Sequence, residues 1–326
     1  MRDAFGRRIS YLRISVTDKC NLRCSYCMPV EGLEWIPRPA LLSYEEIVRI
    51  VEQMAEMGLE RVRITGGEPL VRRDLPVLAR MLADVPGIRD IALSTNAVLL
   101  PRFAAELRRA GVRRVNISLD TLRRERFESL ARRPARFFDA TLEGIAAAER
   151  VGFDPIKINC VMLRGLNEDE FPEFAAMTKV RPWHVRFIEL MPVAENLHLS
   201  DRFISATEML ERIRRREDVK PVPGPPGNGP ARYFRLDGAP GTLGVITPLS
   251  HNYCQRCNRM RLTADGRLRT CLFGDHEVDL KGPLRRTGDV RAAVREALAG
   301  KPRRHYLQLG TSRGSGGLSA LSQVGG

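Results

Sequence analysis

Six of the seven cysteines fall into two trios, Cys20-x3-Cys24-x2-Cys27 and Cys254-x2-Cys257-x13-Cys271. An odd cysteine count in tight clusters suits metal or redox chemistry better than a disulfide framework. A cubane iron–sulfur cluster normally takes four thiolates, so a trio leaves one iron open to another molecule. Structural zinc instead closes its shell with four protein ligands. The first trio has no histidine nearby, and its closest acids are Asp18 and Glu31. Beside the second, His251 stands three residues before Cys254 and His276 follows Cys271, so a Cys3His zinc site stays open on spacing alone. Cys160 belongs to neither trio and reads as a small buried hydrophobe, and Trp35 and Trp183 read as packing residues.

Two basic features lie where they could hold an anion. Lys157 interrupts an apolar strand as Ile156-Lys157-Ile158, and alternation points it away from both isoleucines, toward either a barrel lumen or solvent, of which the lumen is favoured. Arg259 and Arg261 are two apart, so in an extended segment they share a face and can clamp phosphate through paired hydrogen bonds.

The elements that position these groups alternate. β-rich runs recur at Tyr11–Val16, Arg61–Thr65, Asp90–Thr95, Arg113–Leu119, Pro155–Leu163 and His184–Leu190. Between them, Ser43 and Glu46 form a capping-box pattern ahead of Ile47, Ile50, Val51, Met54 and Met57 at helical spacing, with Gly58 as the stop. Further helices are expected over Leu75–Ala83, Arg102–Ala110, Phe137–Val151 and Glu168–Thr178. Parallel strands need helical crossovers, so six such units predict an α/β fold, an incomplete (β/α)6 TIM-like barrel over residues 1–218. The stretch 219–230, VKPVPGPPGNGP, is dense in Pro and Gly and disfavours any regular element, which marks a connection. An α+β extension with the second trio is expected over 231–310, and a flexible Gly-rich tail over 311–326.

Composition excludes several classes. At 326 residues, with 43% hydrophobic and 28% charged, the chain reads as an ordinary globular protein. No signal peptide or membrane-length apolar run is visible, which predicts a cytoplasmic protein without a membrane partner. The net charge is +14, and six lysines leave 47 arginines among the 53 basic residues. Without a long basic run, and with only 6% aromatic residues, no nucleic-acid platform is expected.

The Cys20 trio with its intervening Tyr26 resembles the signature of the radical S-adenosylmethionine (radical SAM) superfamily, and GGEP (Gly66 to Pro69) resembles its glycine-rich element. Together with NISLD, IKIN, RFIELMP, the C-x-R-x-R of Cys257 to Arg261 and the terminal Gly-Gly, the whole chain resembles the GTP 3′,8-cyclase family of molybdenum cofactor biosynthesis. That resemblance implies two [4Fe-4S] clusters, one on Cys20, Cys24 and Cys27 and one on Cys254, Cys257 and Cys271. It implies SAM contacts at Tyr26, Gly67, Ser118 and Met191, and GTP contacts at Arg13, Arg63, Ser94, Lys157, Arg259 and Arg261. It implies a catalytic tail, Gly325 and Gly326, that enters the active site. The implied partners are GTP, an electron-donor protein, a downstream cyclic pyranopterin monophosphate synthase and a second copy in a homodimer. A different radical SAM enzyme with an auxiliary cluster, such as a peptide-modifying one, is the alternative. The sequence departs from the family's pattern at Ala97, where Gly is frequent, and at Leu321 and Val324, where Met and Ile are common.

Overall fold

Ser43 starts the first helix by the reciprocal bonding its sequence predicts: its hydroxyl accepts the Glu46 N–H at 3.1 Å, and the Glu46 carboxylate accepts the Ser43 N–H at 2.8 Å. In this computed structural model, which describes residues 1–191, 194–227, 229–305 and 323, that helix, α1 (Tyr44–Glu56), buries Ile47, Ile50, Val51 and Met54. Helices α2 (Leu75–Ala83), α3 (Leu100–Arg109), α4 (Arg124–Ala131), α5 (Arg136–Arg150), α6 (Phe171–Val180) and α7 (Ala206–Arg214) follow. They alternate with strands β1 (Tyr11–Ser15), β2 (Arg61–Thr65), β3 (Asp90–Thr95), β4 (Val112–Ser118), β5 (Ile156–Val161) and β6 (His184–Ile188), paired in parallel and in chain order. The expected strands all form, to within two residues at their ends. Helices α4 and α7 were not anticipated, because their apolar positions are few and interrupted by arginines.

The C-terminal region does not build a sheet of its own. Its strands are β7 (Val219–Val222), β8 (Arg232–Leu236), β9 (Thr242–Ile246), β10 (Arg259–Leu262), β11 (Arg267–Arg269) and β12 (Glu277–Asp279), followed by helices α8 (Lys281–Thr287) and α9 (Arg291–Ala299). The sheet runs β12-β11-β10-β1-β2-β3-β4-β5-β6-β9-β8-β7, with β10 parallel to β1 and β9 parallel to β6. Eight parallel strands thus line up, six from the barrel units and one from the extension on each flank. The Pro/Gly-rich stretch also requires a correction: Val219–Val222 is a strand despite Pro221. It sits at the end of the sheet order, where a residue without an N–H is tolerated.

Alternation splits the parallel strands cleanly. Leu12, Ile14, Val62, Ile64, Leu93, Val115, Ile117, Ile158, Cys160, Val185 and Phe187 are fully buried on the face that helices cover. The opposite face carries Arg13, Arg63, Ser94, Arg114, Asn116, Lys157, Asn159, Arg186, Arg259 and Arg261. Parallel sheets are ordinarily apolar on both faces. A polar inner face of this kind is costly in an empty core and fits a lumen that takes a charged ligand.

Candidate active site: a cationic lumen between two cysteine trios

The first trio follows β1 immediately. Gly67 donates its N–H to Thr17 O at 2.7 Å and Glu68 to Lys19 O at 2.8 Å, so the GGEP turn after β2 grips the segment leading into Cys20. A Cβ on Gly67 would lie 2.3 Å from Lys19 O, and one on Gly66 would lie 2.6 Å from Thr17 O. What these glycines admit at the missing Cβ is the neighbouring chain. Glu68 is fully buried and accepts from Asn96 N and Thr95 Oγ1, each at 2.7 Å; burial pushes its carboxyl up to about 7. Asn96 in turn donates to Asn21 Oδ1 at 2.7 Å and approaches Cys20 Sγ at 3.8 Å. Cys24 O closes the turn by accepting from Cys27 N and Met28 N. Helix α4 clasps the loop through its last carbonyls, Leu130 to Ser25 N and Ala131 to Arg23 N.

Burial raises the Cys20 thiol to about 12 and lifts Cys24 well above the usual thiol value, with Asp120, Cys27 and Cys20 adding to it. Thiols held this way ionise when a cation meets them, which suits metal ligation rather than solvent reactivity. The second trio lines a small cavity with Tyr253, Arg259, Arg261 and His305. Cys257 is pulled below the usual thiol value: burial alone would raise it, but Lys301 and Arg259 outweigh that. Neither His251 nor His276 lines this cavity; the His276 ring packs against Gly300. Among the described residues no three of His, Cys, Asp or Glu gather tightly enough for a single ion. The three thiols of the second trio share one cavity, and neither histidine that would complete the Cys3His zinc site expected from spacing lines it.

Between the trios lies the cationic face. Strand register aligns Arg13 with Arg63 on one side and Arg261 on the other, and Tyr11 with Arg259. Arg63 donates to the Tyr11 hydroxyl and, at 3.2 Å, to Ser94 Oγ. Burial favours the neutral Tyr11 phenol, yet Arg63, Arg13 and Arg259 together pull it down to about 8. Burial lowers Arg261 to about 10, with Arg259 repelling it, and Arg13 shifts down for the same two reasons, burial and its arginine neighbours. Lys157 points into the lumen and donates to Pro226 O at 2.9 Å, and Arg114 reaches the same carbonyl at 3.1 Å while pairing with Asp90. The connection 223–227 thus floors the lumen. Arg186 donates to Asn159 Oδ1 at 2.8 Å. His184, half-buried beside Lys157 and Arg186, is lowered to about 4 and stays neutral.

Because β10 runs parallel to β1, Cys20 lies past the carboxyl end of one strand, whereas Cys254 and Cys257 lie before the amino end of its neighbour. The trios therefore lie beyond opposite ends of this strand pair, whose five-residue strand β1 itself spans about 17 Å. Tyr26, Ser118 and Met191 sit at the first trio's end, and Arg259, Arg261 and Lys157 toward the other. The Tyr26 hydroxyl donates to Asp120 at 2.7 Å. Gly325 and Gly326 lie outside the described residues.

Sequence reasoning missed Tyr11, Arg114, Asn116, Asn159, His184 and Arg186. The signal was present: Arg114-x-Asn116-x-Ser118, Lys157-x-Asn159 and His184-x-Arg186 place polar groups at every second strand position. Asp120 and Glu68, which brace the first trio's loop, fall inside NISLD and GGEP, but the motifs alone do not reveal that bracing role. Ala97, flagged for its missing flexibility, adopts φ +63, a left-handed conformation that costs a non-glycine residue about 1 kcal/mol.

Two sequence families match the chain, the Radical SAM superfamily over residues 14–178 and Molybdenum Cofactor Synthesis C over residues 183–307. The GTP 3′,8-cyclase of Pelotomaculum thermopropionicum is 46% identical over 331 residues, spanning 100% of both chains. That of Moorella thermoacetica is 44% identical over 329 residues with the same coverage, and that of Geobacter sulfurreducens 47% identical over 309 residues, 94% of each chain. Among solved structures, Streptococcus suis SuiB bound to S-adenosylmethionine shares the fold with a TM-score of 0.58 at 16% identity, over 88% of this chain and 68% of that one. With both modules matched and relatives aligned end to end, this chain belongs to the radical SAM superfamily, in the group that carries the molybdenum cofactor synthesis C-terminal region.

Proposed function

We propose that this chain converts GTP to 3′,8-cyclo-7,8-dihydro-GTP, the first step of molybdenum cofactor biosynthesis, using two [4Fe-4S] clusters and SAM. The observation that carries the reading is a cationic lumen bounded at each end by a cysteine trio, with full-length relatives named GTP 3′,8-cyclase. Cys20, Cys24 and Cys27 hold one cluster and Cys254, Cys257 and Cys271 the other. When bound, the first cluster and SAM would supply the 5′-deoxyadenosyl radical that takes the C3′ hydrogen of GTP.

The protein's own work is placement and charge. Arg13, Arg63, Arg259, Arg261 and Lys157 offer donors to the triphosphate, whose negative charge offsets the repulsion among them. Ser94 keeps Arg63 aimed along the lumen. Tyr26, Gly67, Ser118 and Met191 line the SAM end, so the hydrogen donor and acceptor meet in the middle of the barrel, away from bulk water. C3′ then joins C8 of guanine, and one electron and one proton complete the product. No histidine base is required, and His184, lowered to about 4, would be a weak one.

An electron-donor protein supplies reducing equivalents, the product passes to a cyclic pyranopterin monophosphate synthase, and the enzyme works in the cytoplasm as a homodimer. Gly325 and Gly326 serve the reaction. No described helix is long and apolar enough to cross a membrane. The test is an anaerobic incubation of the reconstituted protein with dithionite, SAM and GTP deuterated at C3′, followed by mass analysis of 5′-deoxyadenosine. Deuterium in that product is expected. Unlabelled 5′-deoxyadenosine, formed with or without GTP, would remove GTP as substrate.

A further inference from the structure

The loop that carries Tyr26 and the segment after β6 that carries Met191 come from distant parts of the chain, and one buried side chain joins them. Asn196 is 1% exposed, in the 3-10 segment Ala194–Arg202. Its amide nitrogen donates to Tyr26 O at 2.7 Å and to Met191 O at 3.0 Å. One planar NH2 group with two hydrogens serves two carbonyls, so the separation of those carbonyls is set by the amide's own geometry. The other end of Tyr26 is held as well, its hydroxyl on Asp120 Oδ2 while Asp120 Oδ1 accepts the Val161 N–H at 2.8 Å.

We propose that Asn196 is a positioning residue for SAM: it fixes the spacing of the Tyr26 and Met191 segments that flank the cofactor. This rests on the reading of Tyr26 and Met191 as SAM contacts. Asn196 need not touch SAM. Its effect is preorganisation, since an unbraced loop must be ordered at the moment of binding. Losses of about tenfold are usual when an outer brace of this kind is removed.

The test uses the anaerobically reconstituted full-length protein. Asn196→Ala removes both donors, and Asn196→Asp keeps the shape while turning an acceptor toward two carbonyls. SAM affinity is measured by equilibrium dialysis with labelled SAM, GTP affinity likewise, with iron content and melting temperature alongside. Both variants are expected to bind SAM about tenfold more weakly and to raise KM for SAM far more than they lower kcat, at wild-type iron content and GTP affinity. Wild-type SAM affinity in both variants overturns the assignment. A loss shared equally by SAM and GTP, or accompanied by loss of iron in Asn196→Asp, also overturns it, because Asn196 then serves the fold in general. Failure of the unmodified protein to bind SAM is a different result and overturns the underlying reading of the site.

Discussion

Lys157 should take up a proton when the triphosphate binds. Its side chain is 3% exposed, and burial, helped by Arg186, Arg114 and Arg63, lowers it to about 6. At pH 7.5 only about 3% of such a group is charged, and charging it costs about 2 kcal/mol. A polyanion beside it reverses that balance, so binding is expected to draw in about one proton. Phosphate is itself ionised at this pH and releases little. Tyr11, held near 8, is about a quarter ionised at pH 7.5 and adds about a quarter of a proton as the anion suppresses its ionisation. The assay is calorimetric titration with GTP in buffers of different ionisation enthalpy, where the slope gives the protons taken up. Lys157→Met should reduce the slope from just over one to about a quarter. In the unmodified protein, affinity should fall as pH rises above 6, by up to tenfold per unit. A buffer-independent enthalpy, or the same slope in Lys157→Met, refutes the reasoning.

The same lysine makes the substrate-free fold pH-dependent. Unfolded, it holds its proton up to about 10.5; folded, it loses it above about 6, so its contribution to stability rises with pH between those values, and Lys157→Met should flatten that slope in denaturant titrations. Gly67→Ala would place a Cβ 2.3 Å from Lys19 O and displace the Cys20 loop, so reconstituted protein should carry about half the normal iron, the second trio keeping its share; full iron loading would refute this. In Gly144→Ala the new Cβ would meet Ala97 O at 2.1 Å, a backbone clash expected to cost about 1–3 kcal/mol, and an unchanged melting temperature counts against it. Deleting Gly325 and Gly326 should abolish cyclisation while leaving iron content and fold; unchanged product formation rules out a catalytic tail.

Local chemistry made much of this molecule legible in advance. The Ser43/Glu46 capping box and the hydrophobic spacing behind it dictate α1 wherever the rest of the chain goes, and period-two alternation marks the strands. The cysteine trios are equally local, since two or three residues between thiols leave little freedom. The apolar strand neighbours of Lys157 put it on the opposite face, lumen or solvent, and folding places it in the lumen.

Strand neighbours were another matter. Nothing in residues 242–246 or 259–262 says that they flank β6 and β1 in parallel, and that pairing alone sets the second trio at the opposite end of the lumen from the first. The Pro/Gly stretch reads as a spacer, yet folding brings Pro226 O beneath Arg114 and Lys157, 112 and 69 residues away. Asn196 looks like an ordinary polar residue until burial aims it at Tyr26 and Met191, and the contact of Glu68 in GGEP with Asn96 appears only in the folded chain. Periodicity records which face a residue takes, a property of a few consecutive bonds. Which residues share that face across the lumen depends on packing between segments far apart in the chain, and that is settled only when the barrel assembles.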